Sequence, residues 1–262
     1  MLPAAEPLWR CLAQHQGIAL SDGQRSLSYA QLAEQVSKRA RLLQRHKVQR
    51  AALALDNSLD WVIWDLALLQ AGLVCVPLPG FFSASQQAHV LQDAGVDCLL
   101  GNEGALSQTH SFQPHGDGLL LRTPAQRPRL PAGTAKITYT SGTTGQPKGV
   151  CLSAQTQLAV ADSLHQASRS CQVQRHLCVL PLATLLENIA GIYAPLLAGA
   201  CIELRPVAQI GLQGASGFDL PRFIETLHAV RPQSLILLPQ LLLALVSAAE
   251  QGLTHAAELR FI

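Results

Sequence analysis

The segment Ile137-Thr-Tyr-Thr-Ser-Gly-Thr-Thr-Gly-Gln-Pro-Lys-Gly-Val150 gathers the groups best suited to chemistry in this chain. Gly142 and Gly145 permit a tight turn and let backbone N–H groups approach a ligand closely. Thr140, Ser141, Thr143 and Thr144 put four hydroxyls in five positions, and Lys148 adds a fixed positive charge directly after Pro147. Amide donors, hydroxyls and an ammonium group together are what a polyphosphate requires. An ordinary Ser/Gly-rich surface turn would have a similar composition. Against it stand an apolar run leading in, another leading out, and a lysine at a defined offset. A Walker-type loop needs Gly-x-x-x-x-Gly-Lys-Ser/Thr. Here the second glycine comes early, at 145, two residues separate it from Lys148, and Gly149 occupies the place of the metal-binding hydroxyl, so that loop is excluded on spacing.

Other candidates read as structure. Glu203 fits a solvated strand end and Asp219 a helix cap. Gly211-x-x-Gly-x-x-Gly217 has no lysine and no strand after it, which suits a flexible connection. The nine histidines form no His-x-x-x-His or other ligand pattern. The seven cysteines (11, 75, 98, 151, 171, 178 and 201) are odd in number, irregularly spaced and mostly within apolar runs. They read as reduced core residues of a cytoplasmic protein, not as a disulfide framework or a zinc site. Trp61 and Trp64, at i and i+3, suit core packing.

The elements around the loop alternate. Ser28-Tyr-Ala-Gln31 has capping-box spacing and opens a helix with Leu32, Val36, Ala40 and Leu43 on one face. A buried strand is expected over Ala51–Leu55, a helix capped by Ser58 and ending near Gly72, and a strand over Leu73–Pro77. Ser83 or Ser85 starts the next helix, which ends near Gly95 before a strand over Asp97–Leu100. This βαβα rhythm predicts an α/β fold with largely parallel sheets flanked by helices. Residues 102–134 break the rhythm as a loop-rich stretch around one short strand, Leu119–Leu121. Order returns with the strand Ala135–Tyr139. It continues with a helix from Ala154 capped by Ser153, a strand over Leu177–Leu180, a helix over Leu185–Leu197, a strand over Cys201–Leu204, a helix after Asp219, a strand over Ser234–Leu238 and a Leu-rich helix. Glu258–Ile262 looks like the start of a further buried strand.

The bulk properties agree with a packed globular protein. Of 262 residues, 48% are hydrophobic and only 14% charged, which leaves a thinly charged surface and an expectation that part of it is normally covered. A net charge of +2 with no basic stripe argues against nucleic acid. There is no signal peptide pattern and no apolar run long enough to cross a bilayer.

The run Tyr139–Val150 resembles the signature of the adenylate-forming (AMP-binding) superfamily, which holds acyl-CoA synthetases, luciferases and the adenylation domains of peptide synthetases. Leu27-Ser-Tyr-Ala-Gln-Leu32, Gln70-Ala-Gly-Leu-Val-Cys-Val-Pro-Leu78 and Leu180-Pro-Leu-Ala-Thr-Leu-Leu-Glu-Asn188 are similar to further blocks of that group. The resemblance covers nearly the whole chain and is closest to the N-terminal part of an acyl-CoA synthetase or long-chain fatty-acid–CoA ligase. It implies that residues 1–262 are the N-terminal portion of the large AMP-binding domain. It also implies that the loop Thr140, Ser141, Gly142, Thr143, Thr144, Gly145 and Lys148 holds the ATP phosphates, with Thr140 helping to hold Mg2+. The cofactors implied are ATP and Mg2+, with coenzyme A as co-substrate and a fatty acid as the acid. The Pro-Leu block would precede the acyl pocket, which Thr184, Asn188 and Gly191 are expected to border. Thr184 stands where many acyl-CoA synthetases have a histidine. Thr184-x-x-Glu187 also has capping-box spacing, so a cap and a substrate role are both open.

Several family parts are not found: the Tyr-Gly-x-Thr-Glu block with the magnesium carboxylate, the ribose aspartate, the hinge, and the small C-terminal domain with its catalytic lysine. Lys38, Lys47, Lys136 and Lys148 are the chain's lysines, and none sits in a similar segment. The sequence therefore reads as a piece of a ligase, with catalytic residues expected beyond residue 262 and with self-association through the apolar face left open. The rival reading is a truncated, non-catalytic module that binds a nucleotide or a partner.

Overall fold

A computed structural model describes residues 5–101, 111–140, 146–213, 217–252 and 258–262. In chain order the first elements are α1 (Glu6–Gln14), β1 (Ile18–Ser21), β2 (Ser26–Ser28), α2 (Tyr29–Arg45), β3 (Arg50–Leu53), α3 (Leu59–Ala71), β4 (Val74–Pro77) and α4 (Ala84–Asp93). Then come β5 (Cys98–Leu100), β6 (Gln113–His115), β7 (Leu119–Leu121), β8 (Thr134–Thr140), β9 (Lys148–Ser153), α5 (Ala154–Ser168) and β10 (Arg175–Leu177). The rest are α6 (Leu185–Asn188), a π-helical turn (Ile189–Tyr193), α7 (Ala194–Ala198), β11 (Cys201–Glu203), α8 (Val207–Ile210), β12 (Leu212–Gln213), β13 (Gly217–Phe218), α9 (Leu220–Val230), β14 (Ser234–Leu235) and α10 (Pro239–Glu250).

The helix starts follow local chemistry. At α2, Gln31 N donates to Ser28 Oγ and Ser28 N to Gln31 Oε1, the reciprocal pair of a capping box. Ser83, not Ser85, caps α4 in the same way through Gln86. Ser153 Oγ accepts from Thr156 N at α5, and Asp219 from Arg222 N at α9.

The chain divides into two compact units: residues 1–7, 33–55 and 60–158, and residues 8–32, 56–59 and 159–262. The first contains a sheet of order β6-β7-β5-β3-β4-β8-β9. Its middle is parallel, with β3 paired to β4 and β5, and β4 to β8. Its edges are antiparallel, because β6–β7 and β8–β9 are hairpins. Every residue of β3 and β5 is buried, as expected of strands covered on both faces. Val76, Leu91, Leu99, Leu120 and Ile137 meet in its core. Gly95 ends α4 at φ +59°, and a Cβ there would come within 2.9 Å of Gln126 O, so both conformation and space call for glycine.

The second unit contains a sheet of order β14-β10-β11-β1-β2, parallel except for the β1–β2 pair. Its core includes Leu177, Val179, Phe223, Leu227 and Leu235. Several expectations change here. The strand expected to reach Leu180 ends at Leu177, because side chains take over the backbone bonding of Leu180. The helix expected over Leu185–Leu197 is interrupted by the π turn. The strand expected to reach Leu238 stops at Leu235, since Pro239 opens α10 and holds Leu238 extended before it. The Gly211–Gly217 stretch includes the antiparallel pair β12–β13, with residues 214–216 outside the described range. Phe261 does pair with Ser234 in strand fashion, but Phe261 and Ile262 are 39% and 52% exposed, not buried. No helix among the described residues is long and apolar enough to cross a membrane.

At the centre of β8, Lys136 is buried. Its Nζ lies 2.8 Å from Asp65 Oδ1 of α3, and 6.0 Å from the Trp61 ring centroid. Removing one partner of such a pair leaves an uncompensated charge in the core. Lys136→Met should cost about 3–5 kcal/mol of stability, and Lys136→Met with Asp65→Leu should recover most of it. Urea unfolding checks this, and a single-variant loss below about 1 kcal/mol would contradict the buried pair.

Candidate functional site

The phosphate-type loop sits at the tip of the β8–β9 hairpin. The ladder runs Thr138 opposite Val150, Tyr139 opposite Gly149 and Thr140 opposite Lys148. Thr140 and Lys148 are therefore directly across from one another at the mouth of the turn, and both are exposed. Ser141, Gly142, Thr143, Thr144 and Gly145 lie outside the described residues, so the structure brings Thr140 and Lys148 together and leaves the other five at the level of sequence. Pairing at the mouth puts a hydroxyl and an ammonium on the two ends of the turn, a suitable donor set for an anion held there.

One helix face braces both strands at this mouth. On α4, His89 and Asp93 are four residues apart and so share a face. His89 Nε2 donates to Pro147 O at 3.0 Å, next to Lys148, and Tyr139 OH donates to Asp93 Oδ2 at 2.6 Å, next to Thr140. Burial, then the Asp93 contact, push the Tyr139 phenol above its ordinary range, so it remains a donor. Gly149 is explained by the same ring. A Cβ at 149 would come within 2.9 Å of Tyr139 Cζ, so the glycine lets the tyrosine cross the ladder.

The second unit carries the Pro-Leu block. Asn57 is buried and binds its backbone twice: Nδ2 donates to Leu180 O and Oδ1 accepts from Leu182 N, both at 2.8 Å. The amide side chain thus replaces the strand partner that β10 lacks beyond Leu177. Thr184 has the extended backbone of a helix N-cap, but its Oγ1 donates to Pro181 O at 2.7 Å and makes no capping bond. The capping box expected at Thr184-x-x-Glu187 is therefore absent. The physical reason is Glu187, whose carboxylate turns into the core, is fully buried, and accepts from Leu180 N at 3.3 Å. Asn188 is buried as well, and Gly191 faces Glu187 and His176.

Sequence reasoning missed several of these residues. Asn57 carries no motif, although an asparagine before an apolar helix is a weak sign of backbone bonding. His89 and Asp93 show i, i+4 spacing without a visible partner. His176, Cys178 and Glu187 form a buried group that no sequence spacing of ligands would flag. A cleft of about 620 Å³ in the first unit, beside Lys38, Arg41 and Arg45 of α2, is a separate basic surface. Arg39 within it is engaged by Asp60 and stacked over Trp64.

These features place the chain among known proteins. The sequence profile of the family described as AMP-binding enzyme matches residues 9–262, and the chain belongs to that family. Syringomycin synthase SyrB1 of Pseudomonas syringae pv. syringae is 34% identical over 145 residues, covering 52% of this chain and 24% of that protein. The probable CoA ligase CCL9 of Humulus lupulus is 28% identical over 214 residues, covering 71% of this chain and 40% of that protein. This chain therefore spans less than half the length of either relative. Its fold is that of the O-succinylbenzoate coenzyme A synthetase (MenE) of Bacillus subtilis solved in complex with AMP, with a TM-score of 0.70, 19% identity, and coverage of 97% of this chain and 65% of that one.

Asn57→Ala would leave Leu180 O and Leu182 N buried without partners. At about 1–3 kcal/mol for each orphaned group, the variant should lose about 2–6 kcal/mol. Denaturant unfolding measures this, and a loss under about 0.5 kcal/mol would mean that water or a shifted backbone replaces the asparagine.

Proposed function

We propose that this chain supplies the ATP-phosphate site of a ligase that activates a carboxylic acid as acyl-AMP, for transfer to coenzyme A. The observation that carries this reading is the hairpin mouth, where Thr140 and Lys148 face one another across the turn of an AMP-binding family member. In this reading the loop from Thr140 to Lys148, including Ser141, Gly142, Thr143, Thr144 and Gly145, holds the β- and γ-phosphates. Lys148 neutralises charge on the leaving pyrophosphate as the acid's carboxylate attacks the α-phosphate in line. The carboxylate oxygen forms the bond to phosphorus, and the bond from the α-phosphorus to the bridging oxygen breaks. A thiol, assigned as coenzyme A, then displaces AMP. Thr140 offers one hydroxyl to Mg2+, whose remaining ligands would come from phosphate oxygens, waters and carboxylates elsewhere in a complete ligase.

The acid is assigned as apolar, with a fatty acid as first choice. Leu180, Leu182 and Ala183 supply apolar surroundings, and no aspartate stands at Ala183 or Thr184 to meet an amino group. Thr184, Asn188 and Gly191 are assigned to the wall of the acyl pocket. Residues 1–262 are assigned to the N-terminal portion of the large AMP-binding domain, working in the cytoplasm. The exposed Leu238, just before α10, and Leu242, Leu243 and Val246 on it support self-association through that face.

Lys148→Ala should weaken ATP binding by about 1.5–3 kcal/mol, the worth of one charge-assisted contact, and should change AMP binding much less. Calorimetry with both nucleotides tests this. Equal losses for ATP and AMP would place Lys148 away from the outer phosphates and overturn the assignment.

A further inference from the structure

The second unit holds a buried polar group that the proposed adenylation chemistry does not use. His176 lies on β10 and Cys178 two residues further along the extended chain, so both side chains project to the same side. Glu187 reaches them from α6. One ligand atom from each lies within 4.8 Å of the others. All three residues are at most 3% exposed.

The orientation of each group is set from behind. His176 Nδ1 lies 2.9 Å from Ser234 Oγ, which fixes the ring and turns Nε2 toward Glu187. Glu187 Oε2 accepts from Leu180 N, which leaves Oε1 pointing inward. Nε2 and Oε1 are 3.7 Å apart, too far for a hydrogen bond, and neither atom has a hydrogen-bond partner among the described residues. That separation is close to the about 3.4 Å expected between two ligands bound tetrahedrally to one zinc ion. Gly191 keeps the space open: a Cβ there would come within 2.7 Å of Oε1 and 3.0 Å of Nε2.

We infer that His176 Nε2, Cys178 Sγ and Glu187 Oε1 form a zinc site, with a water as the fourth ligand. The donor set of one nitrogen, one sulfur and one oxygen suits Zn2+ in tetrahedral geometry, and a second partner on the far ring nitrogen is what holds metal-bound histidines in place. Binding takes the cysteine as thiolate, so one proton leaves as the ion enters. Without a cation, burial and the Glu187 carboxylate push the Cys178 thiol well above its ordinary range. A divalent ion reverses that balance by supplying the charge the pocket lacks. The ion would tie β10 to the α6–π turn segment that carries Thr184, Asn188 and Gly191.

The test uses the full 262-residue chain, stripped with a chelator and titrated with Co2+ and then with Zn2+. The expected result is one equivalent of Co2+ with thiolate-to-cobalt absorption, displaced by one equivalent of Zn2+, and a zinc-dependent rise in Tm. Cys178→Ser and Glu187→Gln should each weaken binding at least about tenfold and abolish the rise in Tm, while Cys75→Ser in the other unit should keep both. If Cys178→Ser fails to fold, Glu187→Gln and His176→Gln give the same readout. No stoichiometric uptake by the parent chain, or equal uptake by all variants, would overturn the site.

Discussion

The phosphate-type loop depends on one constraint: the mouth of the β8–β9 hairpin must stay closed at a fixed width. Glycine is the least restrained residue of a chain, so a glycine-bearing sequence adds nothing to that width. The restraint comes from below. The ladder sets Thr140 against Lys148, and α4 holds the residue beside each of them, Tyr139 through Asp93 and Pro147 through His89. Two hydrogen bonds to one helix face thus fix the spacing of the strand ends that carry Thr140 and Lys148. Further down β8, the Lys136–Asp65 pair ties the same strand to α3. A strand with this many polar anchors tolerates little sliding, and a slip of one residue would turn Thr140 and Lys148 to the other face of the sheet.

The same economy recurs in the second unit, where polar side chains do the work of missing strands. Asn57 pairs with Leu180 and Leu182 as a neighbouring strand would. Glu187 supplies the acceptor for Leu180 N, and Thr184 gives its hydroxyl to Pro181 O. The backbone around the Pro-Leu block can therefore leave the sheet with Leu180 N, Leu180 O and Leu182 N still paired, which is how an irregular segment survives in a buried place. The π turn that follows is another departure of the kind often found near functional segments.

Much of this was legible in the sequence where the signal is local. The caps at Ser28, Ser83, Ser153 and Asp219 depend on residues within three positions, and each forms as the spacing predicts. The loop was equally easy to single out as a candidate, because its glycines, hydroxyls and lysine are contiguous. What sequence did not show is every contact made over distance. Thr184 and Glu187 have the spacing of a capping box, yet a buried partner at Leu180 N outcompetes the exposed helix end for the carboxylate. His176, Cys178 and Glu187 are separated by one and eight residues, and only the return of α6 onto β10 gathers them. The antiparallel edges of the first sheet were hidden for a related reason. The β6–β7 hairpin lies in a stretch whose composition reads as loop, and β9 follows β8 through a turn already assigned to chemistry.

The central claim is that the hairpin tip, not the basic cleft beside α2, is where this protein meets a polyphosphate. The direct measurement is a titration of the isotope-labelled chain with inorganic tripolyphosphate, followed by the amide signals in NMR spectra. The account predicts saturable shifts concentrated between Thr140 and Gly149, extending to Tyr139 and to His89 behind them. Shifts confined to Lys38, Arg41, Arg45 and their neighbours, with the hairpin signals unmoved, would contradict it.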